Sequence, residues 1–251
     1  MPPDATTDAP PESQPTIEAG IQPRIEPKIE MVFFDIGGVM YDDTVYARSW
    51  MKALRESGAV FTDEEFEREY VDARAAQSGS FRRRLTRTFL GEDVELTPVE
   101  ARAAKYWAYP PTAIYPDVIP CLEALVDRYR LGIIANQPSS VRAAMDRDGL
   151  SAYFEVWGVS DDLGLQKPDP KLFSQVLYPA GVAPTRAVMR GDRLDYDVRP
   201  AKNAGMRTVW VLRGEAPDEP TPAQLSEPDA SVRTLAEIPA MLESWEPASA
   251  S

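Results

Sequence analysis

Asp35, Asn136 and Asp192 each follow a short strand-like run, Lys167 lies in the loop beyond another, and Asp195 and Asp197 follow closely behind Asp192. The chain has no histidine, and Cys121 is its single cysteine. Those two facts exclude Ser-His-Asp and Cys-His catalysis, His-ligated metals, intrachain disulfides and multi-cysteine clusters. Chemistry is left to carboxylates, Lys, Arg, hydroxyls and backbone amides, with or without a hard cation. Carboxylates that converge without histidine suit an oxygen-ligated ion such as Mg²⁺, which takes one or two carboxylates and keeps several waters. Lys167 beside them would offset an anionic substrate and orient the nucleophile. Together these residues point to phosphoryl transfer, with Asp35 as a nucleophile able to form an acyl phosphate.

The elements that must position these groups are legible in outline. Met31 to Phe34 is an apolar run ending at Asp35 and Gly37-Gly38, the pattern of a buried strand followed by a turn. From Thr44 to Ala108 the spacing is helical. Trp50, Ala53 and Leu54 form a face closed by Gly58, and Thr62 with Glu65 forms a capping box for a second helix through Phe66, Tyr70 and Ala73. A third helix runs from Phe81 to Gly91, and a fourth from Pro98 through Trp107. Strands and helices then alternate: a helix at 118–130, strand 131–135, a helix capped at Ser139 or Ser140 and stopped by Gly149, and strand 154–159. Helix 170–178, strand 187–190, helix 198–203, strand 208–212 and helix 235–242 complete the series. This predicts an α/β fold, a doubly wound parallel sheet interrupted after its first strand by a small helical domain. Ligands in such sheets bind beyond the carboxyl ends of the strands, where the polar residues above are placed.

Composition narrows the class. The 251 residues carry 27 Lys and Arg against 40 Asp and Glu, a formal charge of −13. That balance argues against nucleic acid or an anionic membrane surface as partner. With 43% hydrophobic and 9% aromatic residues, the chain can bury a core. No stretch approaches the roughly 20 apolar residues of a membrane span, and residues 1–30 lack a secretory leader's basic start and apolar core. Their prolines among Asp, Glu, Thr and Ser predict a disordered acidic tail, in which Pro23 and Pro27 spoil the four-residue spacing of Ile17, Ile21, Ile25 and Ile29. A cytoplasmic enzyme is the expectation.

The ordered motifs resemble the haloacid dehalogenase superfamily, most of whose members are Mg²⁺-dependent phosphatases. Phe33-Phe34-Asp35-Ile36-Gly37-Gly38-Val39 is similar to its first motif, Leu131 to Asn136 to its second, Lys167-Pro168-Asp169-Pro170 to its third and Gly191 to Val198 to its fourth. The resemblance spans Met31 to Leu242. It implies a Rossmann-like core at 31–43 and 110–245 and an all-helical cap at 44–109. It further implies Asp35 as nucleophile with Lys167 as its catalytic partner, a metal set of the Asp35 carboxylate, Gly37 carbonyl and Asp192 carboxylate, phosphate binding by Asn136 and Lys167, and Asp197 orienting Lys167. The substrate implied is a small phosphorylated metabolite.

Two positions depart from the pattern. The family's usual second Asp of motif one, its general acid, is Gly37 here, and the usual Ser or Thr of motif two is Ala135. Loss of a general acid forfeits about 10²- to 10⁴-fold in rate. A phosphate-binding pseudo-phosphatase and a hydrolase of a non-phosphoester bond therefore stay open as alternatives. Asp195 reads as a solvated or helix-start charge, and Arg82, Arg83, Arg84 and Arg87 as a solvated face balanced by Glu. Tyr41, Tyr46, Tyr106, Trp107 and Tyr109 flank the two ends of the helical run as core or pocket residues. Cys121 reads as a small buried hydrophobe, and the family pattern makes Lys167-Pro168 a candidate cis peptide.

Overall fold

The computed structural model describes residues 28–107 and 109–246. Six parallel strands, β1 (Met31–Phe34), β2 (Arg130–Ala135), β3 (Val156–Val159), β4 (Ala187–Gly191), β5 (Arg207–Val211) and β6 (Ala230–Val232), form one sheet in the order β3-β2-β1-β4-β5-β6. Every residue of β1 is buried. A central parallel strand is covered on both faces, so its sequence is a continuous apolar run rather than an alternating one. Val32 and Phe34 pack with the residues of two flanking helices and a third near the C-terminus, while Met31 and Phe33 pack with Leu172, Phe173 and Val176 on the opposite face. The chain winds outward from β1 in one direction through β2 and β3 and in the other through β4 to β6. The strand order therefore reverses between β1 and β4, which makes their carboxyl ends the ligand crevice of such a sheet.

Between β1 and β2 the chain forms α1 (Asp43–Glu56), α2 (Asp63–Ala76), α3 (Phe81–Leu90) and α4 (Leu96–Ala103). They bury Trp50, Leu54, Phe66, Tyr70, Phe81, Leu85 and Val99 in a cluster of their own, separate from the two sheet faces. The capping box at Thr62 and Glu65 is present in both directions, at 3.1 and 2.7 Å. The two connections to the insert run side by side, with Asp42 N donating to Ala113 O at 2.8 Å and Tyr115 N to Met40 O at 3.0 Å. The remaining helices are α5 (Val118–Val126), α6 (Val141–Arg147), α7 (Ser160–Leu163), α8 (Pro170–Ala180), α9 (Arg199–Asn203), α10 (Pro222–Leu225) and α11 (Ile238–Trp245).

Several boundaries differ from the sequence expectation. The fourth insert helix starts at Leu96 rather than Pro98, which takes up a first-turn position, and ends at Ala103. The helix expected at 118–130 stops at Val126, because Arg130 already pairs with Met31 in the sheet. α6 begins at Val141 without a side-chain cap, since Ser139 instead donates to Asp161 and Asp162. β3 begins at Val156, two residues late. The ordered chain also reaches further upstream than residue 31. Ile29 is buried in the core, and Glu30 pairs with Arg186 at 2.6 Å. The rest of the expected acidic tail, residues 1–27, lies outside the described residues.

Candidate active site

β1 delivers Asp35 to the crevice. Its N–H still donates to Arg190 O at 2.8 Å, extending the ladder by one residue, and its side chain is 14% exposed. Oδ1 accepts from Ile36 N at 2.8 Å and lies 3.0 Å from Lys167 Nζ, which fixes the carboxylate plane. Beyond it the chain turns tightly, with Gly38 N donating to Tyr41 O at 2.9 Å. Gly37 sits half-buried in that turn.

β4 delivers Asp192, whose carboxylate is buried. Its Oδ2 accepts from Glu215 N at 2.6 Å, and its backbone oxygen from Trp210 Nε1 at 2.9 Å. The approach of the loop after β5 requires Gly214: a Cβ there would lie 2.3 Å from Gly38 Cα and 2.5 Å from Asp192 Oδ2. Gly191 serves the same purpose for Asp197, since a Cβ at Gly191 would lie 2.1 Å from Asp197 Cγ. Asp197 is fully buried, holding Lys167 Nζ at 2.5 Å through Oδ1 and Arg193 N at 3.0 Å through Oδ2.

The segment expected to be a helix from Val198 begins instead as a wide π turn at Leu194–Val198 before α9. Asp195 and Asp197 face different partners across this turn. Asp197 takes Lys167, whereas Asp195 accepts from Gly79 N of the insert at 2.7 Å and pairs with Arg193. Asp195 is therefore a helix-start charge, as one of the two sequence readings has it, but it is turned to the insert and not to solvent. Asn136 also makes contacts that its sequence position does not reveal. Its Nδ2 donates to Lys167 O at 2.9 Å and its Oδ1 accepts from Lys167 N at 2.7 Å, a two-way clamp on the Lys167 backbone. The Lys167–Pro168 peptide is cis.

The structure thus gathers Asp35, Lys167, Asp192 and Asp197, with one carboxylate oxygen from each Asp lying within 4.8 Å of the others. Three carboxyl groups meet one ammonium, so acidic groups outnumber basic ones in the cluster. Burial, opposed by Lys167 but reinforced by Asp197, pushes the Asp35 carboxyl up to about 7. Burial works to lower the Lys167 ammonium, yet Asp197 and Asp35 together hold it above its ordinary range. An all-oxygen set in which acidic groups outnumber basic ones fits a hard dication. Asp197 already has a donor on each oxygen, so Asp35 and Asp192 are the carboxylates suited to hold one directly.

The flanking residues divide clearly. Tyr41 and Tyr109 are core residues with rings 5.6 Å apart, Tyr46 packs against Trp50, Phe81 and Trp107, and Tyr106 is exposed. Tyr109 also donates to Gln137 Oε1, tying the return connection to the loop after β2. Arg82, Arg84 and Arg87 pair with Glu100, Glu69 and Glu92 at 3.6, 3.8 and 3.1 Å, as a balanced face predicts. Cys121 is buried as expected. Sequence patterning gives no sign of Glu215, whose contribution to Asp192 is a backbone N–H, nor of Gln77, a buried insert residue in contact with the loops around the site. Gly214 leaves only the weak signal of a glycine after a strand.

Comparison with known proteins agrees with this geometry. Residues 29–205 match the family of haloacid dehalogenase-like hydrolases. A phosphoserine phosphatase from Thermus thermophilus is 33% identical over 195 residues, covering 75% of this chain and 76% of its own. A glyceraldehyde 3-phosphate phosphatase from Methanopyrus kandleri is 32% identical over 201 residues, covering 74% and 85%. Among solved structures, a phosphatase of this family from Thermococcus onnurineus superposes with a TM-score of 0.58 at 29% identity, covering 85% of this chain and 98% of its own. With the match running through all four strand ends that carry Asp35, Asn136, Lys167 and Asp192, this chain belongs to the haloacid dehalogenase-like hydrolases.

Proposed function

We propose that the protein is a Mg²⁺-dependent phosphatase of a small phosphorylated metabolite, working through an aspartyl-phosphate on Asp35. The observation that carries this reading is Asp35 held at the strand-order reversal by Lys167, with Asp192 alongside. The relatives named as phosphatases support it. A bound Mg²⁺ would be held by the Asp35 and Asp192 carboxylates and the Gly37 carbonyl, and would offset charge on the phosphoryl oxygens. Lys167 adds a fixed positive charge to the same end, oriented by Asp197 on one side and by the Asn136 clamp on its backbone on the other.

The Asp35 carboxylate attacks phosphorus, forming an O–P bond as the ester O–P bond breaks and the leaving oxygen takes a proton. Water then attacks the aspartyl-phosphate, the Asp35 O–P bond breaks, and inorganic phosphate leaves with Asp35 regenerated. With Gly37 in place of a side-chain acid, the leaving oxygen takes its proton from water or from the substrate itself. The helical insert at 44–109 acts as a cap that shields the site from bulk solvent while leaving room for the attacking water. Gly37 and Ala135 favour a second reading, a protein that binds phosphate without turnover. A panel of phosphorylated metabolites assayed with and without Mg²⁺, for wild type and Asp35→Asn, separates the two. Mg²⁺-dependent phosphate release lost in Asp35→Asn is the expected result. Equal release by the variant removes Asp35 as nucleophile, and binding without release by wild type establishes the second reading.

A further inference from the structure

Gln77 terminates α2 in a left-handed conformation, φ +44°, and its side chain is completely buried. Burying a primary amide is costly unless its oxygen and nitrogen both find partners. The partners here are all backbone groups, which fixes the amide's orientation. Nε2 donates to Arg74 O at 2.7 Å and to Glu215 O at 2.8 Å, and Oε1 accepts from Leu194 N at 2.8 Å. Leu194 and Glu215 belong to the two segments that hold Asp192. One carries Asp192 out of β4, and the other presents the N–H that holds Asp192 Oδ2. A single insert side chain therefore stitches together the segment bearing the carboxylate and the segment orienting it. Contacts around it repeat the connection. Arg193 Nη2 donates to Gly79 O at 2.8 Å, Arg199 Nη1 to Gln77 O at 3.1 Å, and Arg74 Nε to Ala216 O at 3.0 Å.

We propose that Gln77 is a positioning residue for Asp192, so that docking of the helical insert and affinity for the cation are coupled. This rests on the reading of Asp192 as a cation ligand. With Gln77 in place, Asp192 is presented at one fixed position. Without it, Leu194 and Glu215 are free to separate, and the carboxylate loses its orientation. Coupling of this kind is reciprocal, so the cation must tighten the insert's contact by the same factor.

The test uses the full chain and Mg²⁺ alone as probe. Gln77→Gly suits the left-handed backbone and removes the amide, while Gln77→Asn tolerates that backbone and is one methylene too short to span both loops. Thr62→Ala, which weakens the start of α2 without touching either loop, controls for general loosening of the insert. Calorimetric titration should give a Mg²⁺ dissociation constant raised roughly five- to tenfold in both Gln77 variants, the scale of one lost hydrogen bond, and unchanged in Thr62→Ala. Amide exchange across residues 74–80 should slow on adding Mg²⁺ to wild type and respond less in Gln77→Gly. Excess Mg²⁺ should restore phosphatase turnover of p-nitrophenyl phosphate. Mg²⁺ affinity at the wild-type level in both Gln77 variants, alongside weakened binding in Asp192→Asn, overturns the coupling and leaves the cation reading standing. Affinity unchanged in Asp192→Asn as well overturns both.

Discussion

Arg190 offers a direct test of how this core is balanced. It lies on β4 with its side chain fully buried, on the same sheet face as Val188. Its guanidinium sits 3.3 Å over the Phe34 ring and 3.9 Å from Cys121 Sγ, while Nε and Nη2 have no hydrogen-bond partner among the described residues. Each buried donor left unmade costs about 1–3 kcal/mol, and a desolvated cation–π contact returns about 2 kcal/mol. The balance is a net cost of about 2 kcal/mol, at the low end of the several kcal/mol that an unpaired buried charge carries. Arg190→Met keeps an unbranched side chain that adapts to the space beside Cys121 and removes the unpaired donors. It should stabilise the protein by about 2 kcal/mol, or raise the Tm by about 4–8 °C in a chain of this size. Differential scanning calorimetry with denaturant titration reads both quantities. The Asp35 N–H to Arg190 O bond is a backbone contact, so turnover should persist. A variant destabilised by more than about 1 kcal/mol would show that the guanidinium is better satisfied than this geometry allows, and would refute the reasoning.

Gly37→Asp should raise turnover of alkyl phosphates by part of the roughly 10²- to 10⁴-fold that a general acid supplies, and flatten the dependence on leaving-group pKa. Wild type that hydrolyses alkyl and aryl phosphates equally fast would locate the proton source elsewhere. Gly191→Ala should abolish activity or unfold the protein, because its Cβ would fall 2.1 Å from Asp197 Cγ and displace the partner of Lys167; a folded variant with normal turnover would show that Asp197 is not needed there. Arg147, and then the Tyr41 hydroxyl at 2.7 Å, hold the Asp148 carboxyl below its ordinary range. The stability this contributes is complete above the ordinary carboxylate pKa and lost as pH falls through the lowered value. Asp148→Asn should therefore be less stable at pH 7, with the difference shrinking as pH falls through the carboxylate range in thermal melts. A pH-independent difference would remove the charge from the account.

Residues whose role follows from local pattern were legible in the sequence. The runs ending in Asp35 and Asn136 mark strand ends because a doubly covered parallel strand is largely apolar, and the run before Asp192 keeps that pattern except at Arg190. Thr62 with Glu65 marks a helix start because both capping bonds close within four residues. Asp195 and Asp197 were harder. Two residues apart in an ordinary helix they would point to roughly opposite sides, and only the wide turn at Leu194–Val198 determines which faces Lys167 and which the insert. Asn136 was placed at the site, but its partner is the backbone of Lys167, 31 residues away in sequence. Gln77 leaves no signal at all: its partners at Leu194 and Glu215 lie 117 and 138 positions along the chain, and nothing in its own neighbourhood distinguishes it from a surface glutamine.

That difference has a chemical consequence. The groups proposed to act on the phosphoryl group, Asp35, Lys167 and Asp192, arrive on separate strands or loops of the sheet, and their charges alone would drive them apart or into protonation. Lys167 offsets one of the three carboxylates, and burial, opposed by Lys167 and reinforced by Asp197, raises the Asp35 carboxyl. Backbone groups hold the rest in register: Glu215 N on Asp192, Arg193 N on Asp197, and the Lys167 peptide against Asn136. Close approach at Gly191 and Gly214 leaves no space for a Cβ between these segments. These backbone bonds fix the carboxylates and the ammonium relative to one another, the kind of arrangement that limits reorganisation during a reaction. Of the two departures from the family pattern, Ala135 removes a hydroxyl on the phosphate side, whereas Gly37 removes the acid that acts on the leaving oxygen, so the proposed reaction suits a leaving group that departs without help.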